Sequence, residues 1–165
     1  MALTVKKTKR EELARLAQLE ENAFAVNRRY FENGALPPIS EEERIAYSLK
    51  ALFEEKSIML LSVYLEDEIV GGAAVKDISH NKKEIILFFI ASKHQGKHLG
   101  QNALKMIEDA YPETEIWQLV TPTDVLRNAV FYVNKCGYRI IKIDAYDRSA
   151  EHGVFLFEKR KGGSS

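Results

Sequence analysis

Apolar residues recur along this chain with two periods, and each period predicts a set of elements. Leu3 to Lys7 alternates weakly and reads as a first strand. Behind it, Leu13, Leu16, Ala17, Leu19 and Ala23 stand at helical spacing, with Thr8 as the expected N-cap and Glu11 and Glu12 in the first turn. Ala25 to Pro38 is irregular, with turn signals at Asn33-Gly34 and Pro37-Pro38. Ser40 is placed as the cap of a second helix whose buried face is Ile45, Ala46, Leu49, Leu52 and Phe53. Glu41 to Glu43 suit its positive end and read equally well as a solvated first turn. Ser57 to Leu65 and Ile69 to Ile78 form a hairpin across Glu66-Asp67-Glu68. Gly71 and Gly72 inside the second strand point to a bulge or a close backbone approach. His80 to Lys83 turns into a third strand that begins at Glu84, so three antiparallel strands make a meander.

The stretch from Glu84 to Asp109 is the centre of the pattern. Ile85 to Ile90 is wholly apolar and suits a strand covered on both faces. Strict alternation puts Glu84, Ile86, Phe88 and Ile90 on one face, and Ile85, Leu87 and Phe89 on the other. A short loop with Gly96 and Gly100 follows, and then a helix with Leu99, Ala103, Leu104, Met106, Ile107 and Ala110 along one stripe. A strand that delivers a glycine loop to a helix N-terminus is suited to holding phosphate, because the first N–H groups of a helix lack intrahelical partners and that end is positive. Lys93, His94, Lys97, His98 and Lys105 lie in or beside the loop. After Pro112, Glu115 to Val120 is a strand, Val125 to Cys136 a helix ended by Gly137, and Tyr138 to Ile143 with Val154 to Glu158 a last pair of strands. The strand–helix–strand unit predicts a parallel pair within an otherwise antiparallel sheet, which makes an α/β (α+β) domain.

The run Gln95-Gly96-Lys97-His98-Leu99-Gly100 resembles the acyl-CoA pyrophosphate loop of the GCN5-related N-acetyltransferases (GNAT), Gln/Arg-x-x-Gly-x-Gly/Ala, with His98 where an inner glycine is usual. Asn128 to Tyr138 is similar to a second segment of that family through Phe131-Tyr132, Lys135 and Gly137-Tyr138. The resemblance implies a mixed, mostly antiparallel sheet of about 6–7 strands flanked by about four helices. It implies acetyl-CoA as co-substrate, with no metal, and transfer of its acetyl group by direct attack of a primary amine of a small molecule or protein. Ile90, Ala91 and Ser92 would hold the pantetheine arm, and the Ile90 backbone would stabilise the oxyanion. Gln95, Gly96, Lys97, His98, Leu99 and Gly100 would hold the diphosphate. Lys135 joins this set by its place in the second segment. Asn128, one helical turn past the family's asparagine position at Val125, is the candidate contact to pantetheine.

Two residues carry the expected chemistry. Tyr132 matches the family position for the acid that protonates the leaving thiolate; as a helix aromatic beside Phe131 it also reads as core. Adjacent helix positions are expected to send those two rings in different directions. Glu84 falls where the histone-type branch carries its general base, and burial at the start of an apolar strand would raise its pKa; the blander reading is the end of a Lys82-Lys83-Glu84 surface turn. His94 and His98 read as loop residues, Cys136 as a small buried hydrophobe and Trp117 as core. Arg28, Arg29, Tyr30, Asp144, Tyr146 and Asp147 fall in regions expected near the acceptor. A non-catalytic acyl-CoA-binding module of the same fold is the alternative reading.

Composition narrows the class without changing it. The chain has 165 residues, expected as one domain over 1–160 with a disordered tail at 161–165. Lys+Arg 24 balances Asp+Glu 24, which argues against nucleic acid as the main partner. No apolar run approaches the roughly 20 residues that span a bilayer, and a single cysteine fits a reducing compartment, so a cytoplasmic protein with no membrane partner is expected. A homodimer is left open.

Overall fold

The computed structural model describes residues 2–25, 48–145 and 151–162. Seven strands form one sheet: β1 (Leu3–Lys7), β2 (Ile58–Leu65), β3 (Glu68–Ser79), β4 (Lys82–Ile90), β5 (Ile116–Pro122), β6 (Arg139–Ala145) and β7 (Gly153–Arg160). Their spatial order is β1-β2-β3-β4-β5-β7-β6. All neighbours are antiparallel except β4 and β5. Four described helices flank it: α1 (Leu13–Ala25), α2 (Leu49–Glu54), α3 (Leu99–Asp109) and α4 (Leu126–Val130). The mixed, mostly antiparallel sheet expected from the sequence is the one found.

Each face of the sheet has its own core. Leu16, Leu19 and Ala23 of α1 and Leu49 and Leu52 of α2 pack on Leu60, Ala74, Phe89 and Ala91. On the other face, Leu104 and Ile107 of α3, with Ala129, Tyr132 and Tyr138, pack on Ile85, Trp117, Leu119 and Phe157. Trp117 and Cys136 are both buried, as the sequence suggests.

Several local expectations are corrected. Thr8 is not the helix cap: it is buried, and its hydroxyl shares a 2.8 Å hydrogen bond with that of Ser62. The cap position falls to Lys9, whose N–H donates to Glu12 Oε1 at 2.8 Å ahead of a 3-10 turn into α1. The described part of the second helix is capped by Ser48, whose Oγ accepts from the Ala51 N–H at 3.3 Å; Ser40 lies outside the described residues. Strict alternation fails in β4. Leu87 pairs with Ala74 and Ile85 with Val75, so Ile86 is an extra, bulged residue. Ile86 and Leu87 therefore both join the α1 face with Phe89, while Ile85, Phe88 and Ile90 face α3 and α4. Glu84, next to Ile85, is turned by period two toward the α1 face rather than the face of Phe88 and Ile90.

The glycines of β3 serve both readings offered for them. Val70 is an extra residue beside Gly71, opposite Val63 and Tyr64. A Cβ on Gly71 would stand 2.3 Å from the Phe89 carbonyl oxygen, so β3 and β4 approach there as only glycine allows.

Candidate active site

The parallel ladder between β4 and β5 is short. Lys82 pairs with Ile116, Lys83 with Trp117 and Glu84 with Gln118, and no further pairs follow. Beyond them β5 continues against β7 as far as Pro122, while β4 continues against β3 to Ile90. The two strands part at Glu84, and a gap opens through the sheet.

A cavity of about 310 Å³ lies along the end of β4 beyond this point. Phe88, Ile90, Phe131 and Tyr132 line it from the α3–α4 face, and Ala23, Phe24 and Phe89 from the α1 face. Its mouth is formed by Gln95, Gly96, His98, Gly100, Gln101, Arg127, Asn128 and Lys135. The wall is apolar and the rim is polar and basic. That suits a ligand with an uncharged arm and an anionic head.

The loop that makes the rim is held by its own chain. Ala91 N–H donates to the Val70 carbonyl at 2.7 Å as β4 ends. Ser92 opens a single 3-10 turn, Ser92–His94, and its Oγ donates to the Asn22 carbonyl of α1 at 3.1 Å. Gln95 Nε2 donates to the Ile90 carbonyl at 2.8 Å, and its Oε1 accepts from Arg127 Nη2 at 2.9 Å. Gln95 thus ties the strand end to α4 and draws a guanidinium to the loop. Gly96 takes φ +81°, and an added Cβ there would meet nothing within 4 Å, so the outer side of the loop is open.

The start of α3 has the features of an anion cradle. His98, its cap residue, takes φ +63° and makes no side-chain cap, and the first turn holds no acid. The N–H groups of Leu99, Gly100 and Gln101 precede the first intrahelical bond, Asn102 N–H to the His98 carbonyl at 3.1 Å. Gly100 keeps the helix close to its neighbour: a Cβ there would lie 3.2 Å from Phe131 Cζ. With Lys97, His98, Arg127 and Lys135 around this end, the diphosphate of a coenzyme fits these donors.

Phe131 and Tyr132 do not diverge as expected of adjacent helical residues. After α4 the chain makes a π turn, Phe131–Lys135, closed by Gly137 at φ +82° and by Tyr138 N–H to the Tyr132 carbonyl at 2.9 Å. The wider turn lets both rings line the cavity, with centroids 5.1 Å apart. Phe131 also stacks on Phe88 at 6.4 Å, and Tyr132 packs on Tyr138 and Phe157 at 6.0 and 5.6 Å. Burial pushes the Tyr132 phenol well above its ordinary pKa, so it keeps its proton through the physiological range. Burial likewise pushes the Cys136 thiol up to about 12, which leaves it without thiolate character.

Glu84 stands at the point where the strands part. Gln118 Nε2 donates to its Oε1 at 3.4 Å. Desolvation raises its pKa, against the opposing pull of Lys76, the Gln118 bond and Lys82. It does not line the cavity itself; nor do Ala91, Ser92, Lys97 and Leu99, which shape the loop from behind or outside. His94 turns inward, with both ring nitrogens buried and no hydrogen-bond partner among the described residues. Asp144 lies on exposed β6, paired with Lys142 at 3.4 Å. Arg28, Arg29, Tyr30, Tyr146 and Asp147 lie outside the described residues.

The structure adds residues that the sequence did not single out for the site. Phe88 is placed by the sequence only on a strand face, and Phe24 falls outside the apolar stripe of its helix. Arg127 sits in no motif, and only its bond to Gln95 places it. No three His, Cys, Asp or Glu side chains come together as metal ligands among the described residues, and no described helix is long and apolar enough to cross a membrane.

Known proteins are similar to this chain in sequence or in fold. The uncharacterized protein YrkN of Bacillus subtilis is 34% identical over 101 residues, 61% of this chain, and the match spans 55% of its length. The PaiA N-acetyltransferase of Thermoplasma acidophilum, solved with coenzyme A, superimposes with a TM-score of 0.71 at 19% identity, over 97% of this chain and 99% of that one. The ribosomal-protein-S18-alanine N-acetyltransferase of Escherichia coli does so with a TM-score of 0.72 at 11% identity, over 99% and 97%. The profile of the acetyltransferase (GNAT) family matches residues 15–138, from α1 through the loop and the parted strands to Tyr138. On that match, which takes in both sides of the cavity, the chain belongs to the GNAT acetyltransferase family.

Proposed function

We propose that the protein moves the acetyl group of acetyl-CoA onto a primary amine. The observation that carries this reading is the parting of β4 from β5 past Glu84, in a chain whose next helix, α3, starts uncapped and free of acids. Backbone amides from Gln95 to Gly100, with Arg127 and Lys135 near them, take the diphosphate. The open edge of β4 offers its unpaired main-chain groups to the amides of the pantetheine arm, as a sheet edge does to an added strand. Asn128 stands on the rim beside that path. An N–H near Ile90 stabilises the charge that grows on the thioester oxygen.

The amine arrives from the α1 face. As the carbon–nitrogen bond forms and the carbon–sulfur bond breaks, Tyr132 gives its proton to the departing thiolate. Glu84, whose raised pKa suits a base, takes a proton from the attacking nitrogen through water. The acceptor, a small molecule or a protein such as the one the S18-alanine enzyme is named for, enters the space beside α1. We place it in the cytoplasm, where acetyl-CoA is available.

Thiol release from acetyl-CoA over a panel of amines tests the reading. Tyr132→Phe is expected to lower kcat about a hundredfold or more and to leave coenzyme A affinity, measured by calorimetry, unchanged. A Phe variant with full turnover removes Tyr132 from the chemistry. Coenzyme A binding without thiol release from any amine leaves a binding module. No binding at all overturns both readings.

A further inference from the structure

One edge of the sheet is left open. β6 ends the strand order, bonded to β7 on one side and to no described strand on the other. All seven of its residues are exposed, among them Ile140, Ile141 and Ile143, the last to 63%. A bare edge with apolar side chains is a template for another strand unless like charges guard it. The opposite edge has such a guard: β1 carries Lys6 and Lys7 and no acid.

The main chain of β6 shows which groups are on offer. Gly153 directs its own groups at β5, since its carbonyl accepts from the Thr123 N–H at 2.9 Å and its N–H donates to Thr123 Oγ1 at 3.1 Å. By alternation the bonds of Val154 and Leu156 run to β6, where their partners are Asp144 and Lys142. A Cβ built on Gly153 would meet the Asp144 carbonyl oxygen, which places that carbonyl on the β7 side. Asp144 and Lys142 therefore bond inward, and Ile143 between them turns its N–H and C=O outward. The extra residue of β6, Ile141, falls before this stretch, and Lys142 to Ala145 pair with β7 without a break.

A second copy of β6, laid antiparallel, matches these groups in one register. With Ile143 opposite Ile143, the two residues exchange both of their main-chain hydrogen bonds. Lys142 of each copy then stands opposite Asp144 of the other, in the closely spaced pairs on either side of the axis. The two side chains share a face of the strand, where they meet within one chain at 3.4 Å and are more than half exposed. Registers centred one residue away set Lys142 against Lys142 or Asp144 against Asp144, which is repulsive. We propose that β6 is the interface of a two-fold dimer, with Ile143 on the axis and the two seven-stranded sheets joined into one. The closed symmetry occupies both β6 edges, so this contact stops at two copies.

Sedimentation equilibrium tests it. A strand pair is a small interface, so the 18.8 kDa monomer is expected to dimerise with a dissociation constant of about 1–100 µM. Ile143→Pro removes the outward donors and spares the bonds to β7. It should weaken the dimer about 10- to 100-fold, for two hydrogen bonds lost by symmetry. Lys142→Asp sets acid against acid twice and should weaken it about tenfold or more. Adding Asp144→Lys to that variant exchanges the charges and should restore wild-type association. Circular dichroism reports that each variant is folded. A wild type that stays monomeric up to about 1 mM overturns the inference. So does a dimer that Lys142→Asp leaves intact, or one that the exchanged pair fails to restore, even if Ile143→Pro does not fold.

Discussion

At His98 the backbone takes φ +63°, a region where a side chain costs about 1 kcal/mol or more. This is the position at which the family pattern carries glycine, and the conformation explains why. His98→Gly should therefore raise Tm by about 2–4 °C for each kcal/mol recovered, read by thermal unfolding. A fall in Tm would mean that the imidazole makes up the strain. Glu20 makes the opposite kind of residue-level statement. Its folded pKa of about 7 lies above the ordinary 4.5. A raised carboxyl pKa favours the fold in full below pH 4.5 and loses that contribution as pH climbs through 7. Glu20→Gln, which does not titrate, should match the wild type most closely near pH 5 and gain on it toward pH 8, by an amount approaching 3 kcal/mol at ~1.4 kcal/mol per pKa unit. Urea midpoints across that range check the sign. The two residues were not equally legible. His98 announced itself by standing in a glycine position. Glu20 sits in Leu19-Glu20-Glu21-Asn22, which reads as a solvated helix flank, because apolar periodicity does not register an acid that tertiary packing buries.

Among the elements, the strands and helices followed their periods closely, and the departures come from single inserted residues. Ile86 in β4 is one such residue, and it moves Glu84 to the opposite side from the one simple alternation assigns. Nothing in a run of six apolar letters marks where an extra one falls, so the slip could not be seen from the chain alone. The π turn at Phe131–Lys135 is another. It turns two adjacent rings into one wall, where ideal helical geometry would have split them. The β3 glycines were legible because glycine weakens a strand interior and seldom stands there without a bulge or a close contact. Gly71→Ala puts a Cβ 2.3 Å from the Phe89 oxygen, which is main chain and has no rotamer to escape by. It should cost about 1–3 kcal/mol in urea unfolding, and it should also disturb the site, since Phe89 lines the cavity. A neutral Gly71→Ala would show that the two strands can slide apart freely.

For the whole molecule, the family motifs made the order of elements and the cofactor loop readable, but the cavity needed three dimensions. Its α1 wall comes from Ala23, Phe24 and Phe89, and its rim from Arg127, residues far apart in sequence that no local pattern joins. Two half-sheets, β1-β2-β3-β4 and β5-β7-β6, are stitched by the short ladder at Lys82, Lys83 and Glu84 and by α3 between them. Beyond that ladder, alternate peptide groups of β4 from Ile85 to Ile90 face a strand that has moved away. Those amides should take up deuterium from heavy water much sooner than their neighbours bonded to β3, although both lie in the middle of the sheet. Saturating coenzyme A should then slow uptake at the same alternate positions and nowhere else along β4. The isotope pattern would record, residue by residue, a seam in the sheet that the ligand closes.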